Sequence, residues 1–471
     1  MLKTSRRSSR RSKSGSSPIE TSTCYFALLT DFRDANEETL PEDELLLRLA
    51  QKRIEELNGK YRDSGSRCVL SVSSPAPMEC RGAGLDGIRA ETGQACGFEW
   101  ACSEAAHADR FSLIVGETAV LSAVQYVITL DTDTQLPRDA AWQFVGTMAH
   151  PLNRARYDEH KQRVCDGYGI LQPRVAVSLP GTNRSRYARL NGSDPGIDPY
   201  TRAISDVYQD VFGEGSFIGK GIYEVDAFEH ALAGRFPENR ILSHDLLEGC
   251  YARAGLLSDV HLYEEYPSCY SVDVSRRHRW IRGDWQLAGW LLPRVPGPGA
   301  QRQNNPLSGL SRWKLFDNLR RSLVPSALTV LLLLGWTVLS PFWLWTFSVL
   351  GVILIPPCTV HGPGSLSEAG GCAAGGSMSM RCYARQAGTL FRRCSRSCAF
   401  PTRRSSVWMR LCARSGGCWS RSTRLLEWSP SSDSDRNRRT DLVGYCRTMW
   451  IGPVLATAAV IYLTPVCIRA R

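Results

Sequence analysis

The stretch from Leu323 to Ile355 carries no charged residue and is apolar almost throughout, broken only at Ser340-Pro341. A single membrane-spanning helix takes about 20 residues. This run is too long for one such span, and it predicts a hairpin of two short spans over 323–356. Its rival is a buried core helix, but uncharged runs of this length are rare in soluble cores. Residues 448–468 form a further span of suitable length. Trp336, Trp343 and Trp345 are expected near the membrane interfaces. Arg312, Lys314, Arg320 and Arg321 precede the first span, which places the upstream domain on the cytoplasmic side.

Upstream of this run the pattern is that of an α/β layer fold. An apolar stretch ends at Thr30-Asp31. Thr39 then opens a long amphipathic helix, with Pro41, Glu42 and Asp43 in its first turn. Two strand-like runs, FSLIVG and VQYVITL, fill much of 111–130, and a helix is expected from Arg138 to Ala149. Strands alternating with helices give a mixed-layer domain over 25–310.

Three segments do not fit that pattern. Residues 1–24 are rich in Ser and Arg, and 66–108 and 357–424 lack periodicity. The last two hold eleven of the 17 cysteines, at no metal-ligand spacing. These blocks read as disordered linker or as sequence translated out of frame. A disulfide scaffold does not suit a chain of 471 residues with no export signal.

The formal charge of +11 favours anionic partners: phosphate, a lipid surface or nucleic acid. No basic–aromatic repeat or reader motif supports nucleic acid.

Four clusters lie in order. Asp131-Thr132-Asp133 follows a strand, where residues i and i+2 face the same way and ligands of open α/β sheets bind. Two carboxylates there suit a hard divalent cation shared with phosphate oxygens; a polar turn is the plain alternative. GEGSFIGKGIYEVDAF, 213–228, offers Gly213, Gly215, Gly219 and Gly221 for close backbone approach to a ligand, and Lys220 for phosphate. It is not a P-loop. ILSHDLLEG, 241–249, offers Asp245 as a general base for a sugar hydroxyl, or Ser243 or Asp245 as a helix cap with Glu248 closing the box. RRHRWIRGDWQ, 276–286, sets cations beside Trp280 and Trp285, which suits diphosphate and sugar; an interfacial basic helix is the alternative.

The order of these clusters, ahead of a membrane hairpin, resembles the processive, inverting family-2-type glycosyltransferases such as cellulose and hyaluronan synthases. The wording is closer still to the glycosyltransferase module of cyclic β-1,2-glucan synthases. YVITLDTDTQLPRDAA, GTMAHPLNR, GYGILQPRV, GSFIGKGIYEVDAF, GRFPENRILSHDLLEG and HRWIRGDWQL resemble that family almost word for word. The resemblance implies a glycosyltransferase A-type, Rossmann-like nucleotide-sugar domain followed by transmembrane helices. It implies Asp131 and Asp133 as ligands for Mg²⁺ or Mn²⁺ and the diphosphate of UDP-glucose, with Gly219 and Lys220 near the donor. Asp245 would be the catalytic base, and Arg279 and Trp280 would sit near diphosphate and acceptor glucan.

A multi-pass protein of a bacterial inner membrane, in contact with lipid, is implied as well. Arg276 departs from the family's Q-x-x-R-W pattern, and the family's large C-terminal module has no counterpart before Arg471. The alternatives are another β-glycan synthase, or an inactive, truncated or frame-damaged fragment.

Overall fold

The computed structural model describes residues 2–5, 23–30, 41–60, 67–73, 111–116, 123–191, 206–237, 241–298, 301–360 and 457. Within these, the elements relevant to the site are ten strands of two sheets. They are β1 (Leu2–Ser5), β2 (Thr23–Thr30), β3 (Arg67–Ser73), β4 (Phe111–Val115), β5 (Val124–Thr129), β6 (Arg156–Asp158), β7 (Arg163–Asp166), β8 (Ile170–Val177), β9 (Gly221–Glu224) and β10 (Ala254–Glu264). All but β6 and β7 join one sheet in the order β10-β8-β9-β5-β1-β2-β3-β4. β6 and β7 pair as a small hairpin.

The sheet is mixed. β10 runs parallel to β8 and β2 parallel to β3, while β9 runs antiparallel to both β5 and β8. The chain is therefore an α/β protein with a mixed sheet. Two strands come from segments that the sequence pattern set apart: β1 from 1–24 and β3 from 66–108. The rest of 1–24 and 66–108, and all but Thr457 of 448–468, lie outside the described residues, as do 361–424.

Alternation along the central strands fills two cores. Val127 of β5, Tyr223 of β9 and Ile170 of β8 face one, with Phe228, Leu247, Tyr251 and Trp290. Their neighbours Tyr126, Ile128, Ile222 and Leu171 face the other, with Phe144, Met148 and Leu262. Both faces are thus covered, which is why these strands read as near-continuous apolar runs. The helix expected from Arg138 to Ala149 is present as Ala140–Met148, and the amphipathic helix as Pro41–Lys60.

After the sheet, the helix Tyr270–Gln286 leads to a short antiparallel hairpin (Arg294–Pro296 with Arg302–Asn304) and then to two helices. The first, Gly309–Thr337, is long and apolar enough to cross a membrane, and it is the only such helix among the described residues. The second, Phe342–Val360, has a shorter apolar stretch, Phe342–Ile353. The two meet at the Ser340-Pro341 break. Gly335 lets them approach closely, since a Cβ there would lie 2.6 Å from Trp345 Cβ. The Trp336 indole donates to Thr346 Oγ1 at 2.9 Å. Trp336 and Trp345 therefore serve the contact between the two helices.

Lys314, one of the cations that precede the apolar run, has a role inside the protein. It is buried and its ammonium donates to the carbonyls of Glu214 (3.1 Å) and Gly215 (2.7 Å). The first turns of Gly309–Thr337 are thereby fastened to the α/β domain, helped by Trp285 Nε1 donating to Ser322 Oγ and Asn318 Nδ2 to Asp284.

Candidate active site

Topology alone brings three chain segments to one sheet edge. β5 ends there and leads to Asp131. β9 is antiparallel to β5, so its first residue, Gly221, pairs with Thr129 and Lys220 precedes it at the same edge. β8 is antiparallel to β9 and β10 parallel to β8, so β10 also ends there, at Glu264. Gln135 closes the arrangement by pairing with Tyr263 of β10, donating its N–H to the Tyr263 carbonyl at 2.7 Å.

Asp131 and Asp133 sit in a turn beyond β5, with Thr134 N donating to Asp131 O at 3.1 Å. The expected i, i+2 projection from a strand is therefore replaced by turn geometry. The turn directs the carboxylates to the same region nonetheless. The Lys220 ammonium pairs with Asp131 Oδ2 at 3.0 Å and with Glu264 Oε1. Burial, the Glu264 carboxylate and Asp131 raise the Asp133 carboxyl above its ordinary value, with Lys220 opposing. Burial would lower Lys220, but Asp131 and Glu264 outweigh it and hold the ammonium charged.

Asp245 is the first residue of the helix Asp245–Tyr251, whose Leu247, Cys250 and Tyr251 anchor it in the core. Neither Ser243 nor Asp245 is the cap residue: His244 holds that position, and its side chain makes no cap hydrogen bond. The Asp245 carboxylate instead accepts from Ser243 Oγ at 3.1 Å. Burial, then the nearby Asp131 charge, pushes its pKa up to about 6, against the pull of Ser243 and Lys220. A carboxyl in that range is matched to general-base work near neutral pH.

The glycines do not all face a ligand. Gly219 has φ +87°, and a Cβ there would lie 3.0 Å from Asp245 Oδ1. Its missing side chain thus makes room for the Asp245 carboxylate itself. Gly215 and Gly221 are crowded by backbone, of Leu256 and Leu171 respectively, and Gly213 by the Arg253 guanidinium. The close approach expected for a sugar or phosphate is here an approach of protein to protein.

Arg279 and Trp280 lie on Tyr270–Gln286, both partly exposed. Gly283, one turn later on the same face, packs against Ser243, since a Cβ there would be 3.3 Å from Ser243 Cβ. Gln286 Oε1 accepts from Leu242 N at 2.6 Å. This helix therefore flanks the Asp245 segment. Arg276 covers one face of Trp280 at 4.7 Å, and with Arg277 it pairs with the buried Asp273, which also accepts from Tyr187.

Three residues of this region escaped the sequence reading. Glu264 was legible only as one of two glutamates ending LYEE. Gln172 is wholly buried, accepting from Ile218 N at 2.9 Å and so fixing the backbone ahead of Gly219 and Lys220. Asp273 gave no signal apart from its spacing to Arg276 and Arg277.

Among the described residues no group of three or more His, Cys, Asp or Glu is arranged to hold a metal by itself. The donors at Asp131 and Asp133 are carboxylate oxygens crowded by Glu264, with the Asp133 proton held more tightly than usual. That crowding suits a hard cation bound jointly with substrate phosphates.

No family model matches the chain. Among curated proteins it is 42% identical over 338 residues to the cyclic β-(1,2)-glucan synthase NdvB of Rhizobium meliloti (strain 1021). The chain is a homologue of the cyclic β-(1,2)-glucan synthases. The match takes in 71% of this synthase homologue but 11% of the relative's length, so the chain corresponds to one small part of that protein.

Proposed function

We propose that this chain is a membrane-bound, inverting glucosyltransferase of glycosyltransferase A-type fold. It transfers glucose from UDP-glucose to a growing β-1,2-glucan. The observation that carries this reading is the convergence of Asp131, Asp133, Lys220 and Glu264 at one sheet edge, with Asp245 beside Gly219. Homology to a cyclic β-(1,2)-glucan synthase supports the product class.

In this reading the Asp245 carboxylate accepts the proton of the acceptor's 2-hydroxyl. The oxygen attacks the anomeric carbon of the α-linked donor as the bond to the UDP oxygen breaks, giving a β-linkage and UDP. Ser243 Oγ holds the carboxylate in place through its hydrogen bond. Gly219 leaves it space. Asp131 and Asp133 would hold Mg²⁺ or Mn²⁺, which would supply charge neutralisation for the diphosphate. Lys220 adds a fixed positive charge at the same edge. Arg279 and Trp280 offer a diphosphate partner and a sugar-stacking face from the flanking helix.

The apolar helices from Gly309 onward, with Val330, Leu333, Trp343 and Phe347 exposed, support insertion in a bacterial inner membrane with the α/β domain cytoplasmic. Membranes containing the chain, incubated with UDP-glucose and Mg²⁺, are expected to yield 1,2-linked glucose on linkage analysis. A product without 1,2-linkages, or none at all, refutes this function.

A further inference from the structure

The Lys220 ammonium is already paired with the Asp131 carboxylate. It is nearly buried and sits 3.0 Å from Asp131 Oδ2 while also pairing with Glu264. Its backbone is held on both sides. Gln172 fixes Ile218, Gly219 is wedged against Asp245, and β9 begins at the next residue. The backbone that carries the ammonium is therefore fixed, and a buried ammonium without a partner is strongly disfavoured.

We propose that Lys220 is a positioning residue that competes with the divalent cation for Asp131. A cation then binds this chain tightly only together with a phosphate-bearing ligand. The inference rests on the reading of Asp131 as a cation ligand. A divalent ion approaching Asp131 alone meets a positive charge already paired with its ligand oxygen. A diphosphate changes the balance, because its oxygens give Lys220 new partners and free Asp131. Cation and nucleotide then each raise the other's affinity by the same factor, as linkage requires.

The test is calorimetric titration of the full chain in detergent with Mn²⁺, with UDP, and with each in the presence of the other, allowing for Mn²⁺–UDP complexes in solution. The wild type is expected to bind Mn²⁺ at least about tenfold more tightly when UDP is present. Lys220→Met and Lys220→Gln are expected to bind Mn²⁺ alone at least about tenfold more tightly than wild type, with UDP adding less than about threefold. Circular dichroism checks that each variant is folded; where one is not, the other carries the comparison. Mn²⁺ affinity unchanged or weakened in the folded variants overturns the proposal, as does a wild type that binds Mn²⁺ equally well with and without UDP. Asp131→Asn separates the two levels. If it leaves joint Mn²⁺–UDP binding intact, the cation-ligand reading falls and the competition with it. If it abolishes joint binding while the Lys220 variants behave as wild type, only the competition falls.

Discussion

Asp245 serves two opposed requirements. Burial and Asp131 make its ionised form unfavourable, yet only that form can take a proton from a hydroxyl. With a pKa of about 6, transfer should fall about tenfold per pH unit below that value and level off above it. Stability runs the other way. The folded-state pKa lies above the unfolded value, so the protonated carboxyl favours the fold at low pH. That contribution is lost as pH rises through about 6. Asp245→Asn should therefore reduce transfer by about 10²–10⁴-fold and remove this component of the pH dependence of thermal unfolding. A variant within tenfold of wild-type turnover would exclude Asp245 as the base. Gly219→Ala tests the same carboxylate from its other side. The added Cβ meets Asp245 at 3.0 Å and the backbone must keep φ +87°. The expected loss is about 1–3 kcal/mol in denaturant unfolding, together with reduced turnover.

At the scale of elements, the local pieces were legible and their meeting points were not. Strand β5 and the helices Pro41–Lys60 and Ala140–Met148 follow from a near-continuous apolar run, helix-start residues and apolar spacing, all local properties. Asp131 and Asp245 could be singled out because carboxylates beside apolar runs are conspicuous. Glu264 and Gln172 could not. Their roles depend on β10 and β8 ending beside β5, and no local pattern encodes that pairing. Lys314 shows the same limit in reverse. In the sequence its charge reads only as one of four cations ahead of an apolar run, whereas the fold uses it as a hook on two loop carbonyls. Those carbonyls belong to Glu214 and Gly215, five residues or so before Lys220 in the site. Lys314→Met leaves two buried acceptors unsatisfied and should cost about 2–4 kcal/mol in thermal or denaturant unfolding. Lys314→Arg keeps a donor and should recover part of that loss. A Met variant as stable as wild type would show that the hook is not used.

Across the whole molecule, the lower half of Gly309–Thr337 is fastened to the α/β domain while its upper half presents apolar residues outward. Ser311, Lys314, Leu315 and Ser322 are buried, and Val330, Leu333 and Leu334 are exposed. A soluble fold does not leave such a row open to water without something to cover it. The following helix adds Trp343, Leu344 and Phe347 to the same apolar exposure, and in the function proposed above this face meets lipid. The substitution that tests this must spare the docked half, so that loss of membrane binding is not confused with loss of the fold. Leu333→Lys with Leu334→Lys meets that condition: both side chains lie well beyond the last buried contact at Ser322 apart from Gly335. Each lysine near a helix centre opposes membrane insertion by about 3 kcal/mol. The double variant should therefore leave the membrane fraction in alkaline carbonate extraction, where the wild type remains. If both stay in the pellet to the same extent without aggregating, the hairpin is not what holds the chain to the bilayer.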